Sequence, residues 1–493
     1  MAMMPITDSM FLLGESREHP VHVAALKVFE IPPGAGPDFV AETHRRMLEH
    51  VDVAPTFRRR PRRPFSRLGQ WAWTDDDQLD LEYHVRLSAL PRPGRVRELL
   101  ELISRLHGSL LDRHRPLWEF HIIEGLEGDR FAMYTKVHHA LLDGVSALRL
   151  MRRVLSEDPN ERDMAPPWVT RNDGRTSVVE ATDADSERYG TPWRGLWAAA
   201  QAIGDVAGMA PALVRSISDI LTDQAAMLPF QAPKSMLNVP ITGARRFAAQ
   251  SWSLERVRGV ARKTDATVND VVLAMCAGAL RRYLIEHDAL PERPLVAATP
   301  VSVRTDGRSV SAGVGMPTPP ADRVNNNGAA WPESGAGPDA DGDTAVGLIL
   351  CSLATHLADD AARLIEISNA MRRGKEFYKG RSPLQITALS ALPIMPLALY
   401  LLPAALRVST PPFNLVISNV PGPSAPLYFN GARMQGLYPL SLPYEGQALN
   451  IAVTRYAGNL EFGLIGCRRS VPHLQRMLGH LEDSLVALES SIR

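Results

Sequence analysis

Apolar residues follow two spacings in the first part of the chain. Residues 21–29 and 131–137 are short apolar runs, which predicts two strands. Three further segments place apolar residues three and four positions apart, which predicts helices: residues 39–51, 96–111 and 145–155. This part of the chain therefore alternates strand and helix.

The middle of the chain has a different composition. Residues 156–189 are polar and acidic and include Pro166-Pro167 and Asn172-Asp173-Gly174, which is typical of a surface crossover. Residues 193–221 follow as a Trp- and Ala-rich segment that predicts an amphipathic helix. We expect this middle region to join two folded halves.

The second half returns to alternating strand and helix signals. The pattern predicts strands at 246–253, 295–304, 449–456 and 460–465, and helices at 254–264, 269–288 and 359–375, and residues 346–353 are a further apolar run. Between them, residues 313–343 are rich in Pro, Gly, Asn and Asp, which predicts an exposed, mobile insertion. We therefore divide the chain into residues 1–157, a linker and crossover at 158–245, and residues 246–493. The pattern alone supports two domains of the α/β or α+β class.

Residues 382–406 contain no charged side chain, a length that would suit a membrane span. The interior prolines Pro393, Pro396 and Pro403 would break an isolated helix in lipid. The segment is therefore interpreted as broken helices that line an apolar cavity or lie in a membrane surface. An ordinary buried pair of helices fits the pattern equally well.

Composition excludes several classes of protein. Lys plus Arg and Asp plus Glu each number 54, so no net charge favours nucleic acid. The cysteines Cys276, Cys351 and Cys467 are widely spaced, without a metal-ligand pattern, which suits a reducing cytosol. The N-terminus lacks the basic start and apolar core of a signal peptide. We expect a cytoplasmic protein without a metal or a resident cofactor.

Two adjacent histidines, His138 and His139, end the apolar run at 131–137. An imidazole near neutral pH can accept a proton from a hydroxyl and return it to a leaving group, which suits acyl transfer to an alcohol. Neighbouring strand residues point to opposite faces, so we expect only one of the two to act. In the alternative interpretation, His138 is a buried core histidine and Asp143 is a helix N-cap.

The motif His138-His139-x-x-x-Asp143-Gly144 resembles the signature of the CoA-dependent acyltransferase superfamily. Four further segments resemble motifs of one family in it, the bacterial wax ester synthase/diacylglycerol acyltransferase family, in that family's order: Pro116-Leu117-Trp118-Glu119, Asn269-Asp270, Pro300-Val301-Ser302-Val303-Arg304 and Ser418-Asn419-Val420-Pro421-Gly422-Pro423. The start at residues 5–12 is also similar to the family's. The resemblance implies two chloramphenicol-acetyltransferase-like α/β domains joined by a crossover, with an active-site tunnel between them.

The resemblance also implies a role for each motif residue. His139 aligns with the catalytic second histidine and would be the general base, whereas His138 would support the site from the other face. Asp143 would form a structural ion pair with Arg304, with the N-cap role as the alternative. Asn269 and Asn419, with Ser418, are candidates for the oxyanion hole or the tunnel wall, although Asn is also common in caps and turns. We expect packing roles for the remaining motif residues: Gly144, Pro116, Leu117, Trp118, Asp270, Pro421 and Gly422.

The implied reaction is transfer of an acyl group from acyl-CoA to diacylglycerol, giving triacylglycerol, and to long-chain alcohols, giving wax esters. A donor on a carrier protein, or a catalytically silent lipid-binding protein, are the alternatives. The lipid-binding alternative gains support where the chain departs from the family's pattern, at Gly342-Asp343-Thr344 and Gly466-Cys467-Arg468-Arg469. The basic run Arg58-Arg59-Arg60-Pro61-Arg62-Arg63 would meet CoA phosphates or an anionic membrane or lipid-droplet surface, or is simply a solvated face.

Overall fold

The structure is a computed structural model that describes residues 2–4, 6–63, 71–142, 150, 154–169, 232–304, 344–381, 385–386, 389–390 and 411–491. The described strands are β1 (Ala2–Met3), β2 (His22–Glu30), β3 (Arg59–Arg62), β4 (Ala72–Asp75), β5 (Val85–Ala89), β6 (Trp118–Leu126), β7 (Arg130–His138), β8 (Arg245–Ser253), β9 (Val296–Arg304), β10 (Thr344–Ser352), β11 (Leu415–Val420), β12 (Tyr428–Phe429), β13 (Ala432–Leu440), β14 (Leu449–Tyr456) and β15 (Asn459–Cys467).

The described helices lie between and beside these strands along the chain. They are α1 (Ile6–Gly14), α2 (Phe39–Glu49), α3 (Pro55–Arg58), α4 (Leu81–His84), α5 (Val96–Gly108), α6 (Leu254–Thr264), α7 (Val268–Glu286), α8 (Asp360–Tyr378) and α9 (Arg476–Ser491). Within the described residues, no helix is both long enough and apolar enough to cross a bilayer.

Among the described residues, the strands form two six-stranded sheets and one small sheet. The first large sheet has the order β12-β13-β2-β7-β6-β5, and the second has the order β10-β9-β11-β14-β15-β8. The small sheet, β1-β4-β3, belongs to the N-terminal part of the chain. Strands β12 and β13 lie late in the sequence, but β13 pairs with β2 and β12 pairs with β13, so the C-terminal region completes the first sheet.

The two large sheets share a layer of apolar side chains. Phe247 on β8 and Ile465 on β15 pack with Leu26 on β2 and with Ile103 on α5, all nearly inaccessible to solvent. Gly463 on β15 approaches β13 so closely that a Cβ atom there would lie 1.9 Å from the carbonyl oxygen of Pro439. Burial of apolar surface and this close backbone approach fix one large sheet against the other.

The expected α/β class is confirmed, because both parts of the chain combine strands with helices, although the described strands β11 to β15 follow one another without a helix between them. Helix α6 begins and ends where the apolar pattern predicts, and β2, β7, β8, β14 and α5 agree to within a few residues. The sequence did not predict strands β6, β11 and β13. The predictions for residues 145–155, 193–221, 313–343 and 382–406 lie wholly or largely outside the described residues.

Candidate active site

Two of the sequence motifs lie on neighbouring strands of the first sheet, one at the start of β6 and the other at the end of β7. Strand β6 begins at Trp118, and its register pairs Trp118 with Val137 and Glu119 with Lys136 on β7. The backbone N–H of His138 donates to the carbonyl oxygen of Leu117 at 3.0 Å. The Pro116-Leu117-Trp118-Glu119 motif therefore holds the strand that ends at the histidine pair.

Trp118 packs into the core of the first half. Its side chain is 2% exposed, and its Nε1 donates to the carbonyl oxygen of Phe57 at 2.8 Å. Its ring stacks on His84 and Trp168 at centroid distances of 4.5 Å and 5.5 Å. Because its indole N–H is hydrogen-bonded and its ring stacks on two other rings, Trp118 has a packing role.

His138 is fully buried, and each of its ring nitrogens has a polar neighbour. Its Nδ1 accepts from the backbone N–H of Ala140 at 3.0 Å. That bond requires a bare Nδ1 and places the ring proton on Nε2. Nε2 faces Oε1 of Glu15 at 3.4 Å, a polar contact that lacks the alignment of a hydrogen bond. The ring is thereby fixed in one tautomer and one orientation.

Glu15 is the carboxylate behind His138, with a side chain that is 1% exposed. Burial would by itself raise the pKa of Glu15, but its contact with His138, the backbone N–H of Val21 and the charge of Arg113 lower that pKa below its usual value. Arg113 donates from Nε and Nη2 to Oε2 of Glu15 at 3.1 Å and 3.0 Å. Glu15 therefore carries a buried negative charge next to the histidine pair.

His139 follows the last residue of β7 and has different neighbours. Its backbone N–H donates to the carbonyl oxygen of Val21 at 3.1 Å. Its ring stacks on Phe11 of α1, with 4.8 Å between centroids and 21° between planes, and the residue is 7% exposed. His138 faces charged groups, whereas His139 stacks on an aromatic ring.

Lys136 and Glu119 form a buried ion pair on the same two strands. Nζ of Lys136 lies 2.9 Å from Oε2 of Glu119, and the two side chains are 0% and 7% exposed. Nζ also donates to the carbonyl oxygens of Leu106 and Ser109 at the end of α5, at 3.1 Å and 3.2 Å. Burial opposes the charge of Glu119, but His121, Lys136 and Arg86 lower its pKa to about 2.

Two further histidines, His22 and His107, form hydrogen bonds at the C-terminal end of α5. Nε2 of His22, which is paired in register with His138, lies 2.8 Å from the carbonyl oxygen of His107. Nδ1 of His107 lies 2.9 Å from the hydroxyl of Tyr134. Burial lowers the pKa of His107 to about 3 and that of His22 well below its usual value. Both rings are therefore neutral at physiological pH.

On the second sheet, the structure brings Asn269 and Asn419 together. Asn419 lies on β11 and donates from Nδ2 to Oδ1 of Asn269 at 3.3 Å. Asn269 lies in the first turn of α7, and Oδ1 of Asn419 is buried without a hydrogen-bond partner. Two amide side chains thus meet at the positive end of a long helix, where developing negative charge is stabilised.

The neighbouring motif residues have structural contacts. Asp270 closes a capping box with Thr267: its side chain accepts from the Thr267 N–H at 2.9 Å, and its N–H donates to Thr267 Oγ1 at 3.2 Å. Ser418 pairs in register with Ala452 on β14. Pro421 is exposed, and a Cβ on Gly422 would lie 1.9 Å from the carbonyl oxygen of Arg455. Only glycine fits this approach of the turn to β14.

The remaining predicted site residues lie outside the described residues. They are Asp143, Gly144 and the side chain of Arg304. The ion pair between Asp143 and Arg304 therefore stays a prediction. Among the residues that the structure describes, no group of three or more His, Cys, Asp or Glu side chains is arranged to hold a metal ion.

Several site residues were missed in the sequence. Glu15 and Phe11 contact the histidine pair from a segment far away along the chain, Arg113 contacts Glu15, and the pairing of Lys136 with Glu119 was not predicted. The one available signal was position, because Glu15 follows the opening motif by three residues. Which carboxylate meets which cation depends on strand register, and the sequence does not show it.

Comparison with known families gives matches on both halves. Residues 3–272 match the wax ester synthase/diacylglycerol acyltransferase catalytic domain, and residues 344–489 match the WS/DGAT C-terminal domain. A Mycobacterium tuberculosis protein named probable diacylglycerol O-acyltransferase is 50% identical over 491 residues, which covers 99% of each chain. A Mycobacterium bovis protein of similar name is 42% identical and covers 98% of this chain and 90% of its own.

Solved structures agree with these sequence matches. The wax ester synthase/diacylglycerol acyltransferase from Marinobacter aquaeolei covers 100% of both chains with a TM-score of 0.76 and 40% identity. The first condensation domain of the CDA synthetase aligns with a TM-score of 0.51 over 98% of this chain, but at 15% identity it shows only a shared fold. The chain therefore belongs to the wax ester synthase/diacylglycerol acyltransferase family.

Proposed function

We propose that this protein transfers the acyl group of an acyl-CoA to the hydroxyl of diacylglycerol, forming triacylglycerol, and to long-chain alcohols, forming wax esters. His139 acts as the general base. The observation that carries this assignment is the environment of His138, which is fully buried, with Nδ1 bonded to the Ala140 N–H and Nε2 facing the carboxylate of Glu15. Since a base must exchange a proton with substrate, the second histidine of the pair takes that role.

The reaction proceeds by direct attack of the acceptor. The hydroxyl gives its proton to His139 as its oxygen attacks the thioester carbonyl, and an oxyanion forms. The amide groups of Asn269 and Asn419 stabilise this oxyanion, a contribution typically worth about 100-fold to 1,000-fold per donor. The C–S bond then breaks, and His139 returns the proton to the CoA sulfur. Asp143 and Arg304 support the motif as an ion pair.

The test is CoA thiol release from palmitoyl-CoA with diacylglycerol, hexadecanol or no acceptor. Wild type should release thiol only when an acceptor is present, and His139→Ala should be slower by about 100-fold to 10,000-fold while it remains folded. If neither acceptor stimulates release although palmitoyl-CoA binds, a carrier-protein donor or a catalytically silent lipid-binding protein replaces the proposal. The better acceptor identifies the main product.

The basic run at 58–63 provides a surface for peripheral contact with an anionic membrane or lipid droplet. Arg58, Arg62 and Arg63 are exposed, while Arg60 lies 4.0 Å from Asp76. Each cation near an anionic surface contributes about 1 kcal/mol. Neutralising Arg58 and Arg62 should weaken sedimentation with phosphatidylglycerol vesicles but not with phosphatidylcholine vesicles, and salt should weaken wild-type binding. Equal binding of variant and wild type at low salt would reject this surface.

A further inference from the structure

The loop of residues 15–21, which joins α1 to β2, holds both histidines of the pair. Oε1 of Glu15 lies 3.4 Å from Nε2 of His138, and the carbonyl oxygen of Val21 accepts from the N–H of His139 at 3.1 Å. The N–H of Val21 also donates to Oε1 of Glu15 at 3.1 Å, which ties the two ends of the loop together. Any displacement of this 15–21 loop therefore acts on both histidines.

The tip of the 15–21 loop contacts the second half of the protein. Nε2 of His19 lies 2.6 Å from Oε2 of Glu445, which follows β13. Arg245 at the start of β8 donates from Nη2 to the carbonyl oxygen of Glu18 at 2.7 Å. Next to it, a Cβ on Gly243 would lie 2.4 Å from the carbonyl oxygen of Arg17, so only glycine permits this approach. Arg17, Glu18 and His19 thus all lie against the second half of the protein.

The His19 ring is held within the loop as well. Ser16 and His19 exchange two backbone hydrogen bonds at 3.2 Å and 3.0 Å, which closes a tight turn. The hydroxyl of Ser16 and Nδ1 of His19 share a hydrogen bond at 2.9 Å, and Oε2 of Glu445 also accepts from the N–H of Ile241 at 3.3 Å. With Nδ1 bonded to Ser16, the ring donates from Nε2 to Glu445.

We propose that His19 and Glu445 are positioning residues for acyl transfer. Their contact fixes the tip of the 15–21 loop on the second half, and so sets the position of His139 relative to Asn269 and Asn419. This inference rests on the proposed function, in which the base comes from the first sheet and the oxyanion donors come from the second. Displacement of reacting groups by about 1 Å can cost on the order of 100-fold in rate.

A purely stabilising role predicts a different result. The side chains of His19 and Glu445 are 30% and 16% exposed, and ion pairs this accessible contribute little to the free energy of unfolding. The loss of His19 should therefore leave the protein folded. Its effect should fall on kcat, because the tip of the loop then loses its side-chain contact with the second half while the substrate sites keep their residues.

The experiment compares His19→Ala with His19→Gln and with the matched control His480→Ala. His480 contacts Glu286 at 3.2 Å, an ion pair of the same type that lies within the second half. With palmitoyl-CoA and diacylglycerol, His19→Ala should lower kcat by about 10-fold to 100-fold while KM changes by less than about 3-fold. His19→Gln, whose amide can donate to Glu445, should recover part of the loss. His480→Ala should match wild type.

Other outcomes would overturn either this inference or the proposed function. An active wild type with an unchanged kcat in folded His19→Ala overturns the inference alone, as does an equal loss in His480→Ala. If His19→Ala does not fold, Glu445→Gln decides the question: a weaker hydrogen bond from His19 should lower kcat with little change in melting temperature, and an unchanged kcat rejects the inference. A wild type without acceptor-dependent thiol release overturns the proposed function itself.

Discussion

The two halves of the protein hold their candidate reactive groups by different means. The first half surrounds the histidine pair with buried charges, in which Glu15 meets Arg113 and His138, and Glu119 meets Lys136. The second half fixes Asn269 and Asn419 through backbone features: the capping box at Thr267 that begins α7, and the turn of Pro421 and Gly422 that follows β11.

This difference follows from what each group must do. A general base changes its charge during the reaction, so its tautomer and its electrostatic surroundings both matter. An oxyanion donor stays neutral and needs only a fixed direction, which a helix start and a turn provide. The first half should therefore respond to changes in charge, and the second to loss of a single amide.

The largest effect on stability is expected from Lys136→Met, which leaves the buried carboxylate of Glu119 uncompensated. We expect a loss of about 3–5 kcal/mol in the free energy of unfolding, measured with urea. Lys136→Met with Glu119→Gln should be less destabilised than Lys136→Met alone, because the double variant buries no net charge.

The matched control is Arg86→Met, since Arg86 also contacts Glu119, at 3.4 Å, but is 33% exposed. That variant should lose no more than about 1 kcal/mol. Strict additivity of the Lys136 and Glu119 substitutions, or equal losses in Lys136→Met and Arg86→Met, would contradict the view that buried charge organises the first half.

The sequence predicted the fold better than it predicted the contacts of the site. Apolar runs located β2, β7 and β14, because these strands are buried along most of their length, and helical spacing located α6, which buries one face. The sequence did not show that β13, which lies after residue 430, would complete the first sheet beside β2. Pairing between distant strands depends on packing of the whole chain, which local patterns do not encode.

The site shows the same division between local and distant information. His138 and His139 were found because they are adjacent, and the resemblance to a known family marked Asn269 and Asn419. Glu15 and Arg113 are 98 positions apart in the chain and were not predicted, although together they place a charge behind His138.

The second half should respond to Asn419→Ala with a loss of turnover rather than of stability. Nδ2 of Asn419 donates to Asn269 at 3.3 Å, a single neutral hydrogen bond. We expect kcat to fall by about 100-fold to 1,000-fold, with a change in the free energy of unfolding of only about 1 kcal/mol. Palmitoyl-CoA turnover and urea unfolding of the same preparation test this.

Asn414→Ala is the matched control for this prediction. Asn414 is fully buried, donates to the carbonyl oxygen of Pro233 at 2.7 Å and accepts from the N–H of Val296 at 2.8 Å. Its loss should destabilise the protein yet leave kcat of the folded fraction unchanged. If Asn419→Ala loses stability and activity together, as a structural amide would, the oxyanion role is rejected.

The smallest expected effect is a difference in how the free energy of unfolding depends on pH through one buried carboxylate in each half. Burial raises the pKa of Glu461 on β15 to about 7, although Ser251 donates a hydrogen bond to it, whereas the charged surroundings of Glu119 lower its pKa to about 2. Protonation of Glu461 therefore contributes stability below its unfolded pKa of about 4.5, and this contribution is lost as the pH rises through about 7. Ionised Glu119 contributes stability above about pH 4.5, which is lost as the pH falls toward 2.

Glu461→Gln cannot ionise, so it should be more stable than wild type at pH 8 by up to about 3 kcal/mol and no more stable at pH 4. Glu119→Gln should show the opposite pattern, with its largest loss at pH 8. Urea unfolding of both variants at these two pH values tests the signs. If Glu461→Gln has the same stability relative to wild type at both pH values, Glu461 does not ionise with a raised pKa, and the contrast between the two buried carboxylates fails.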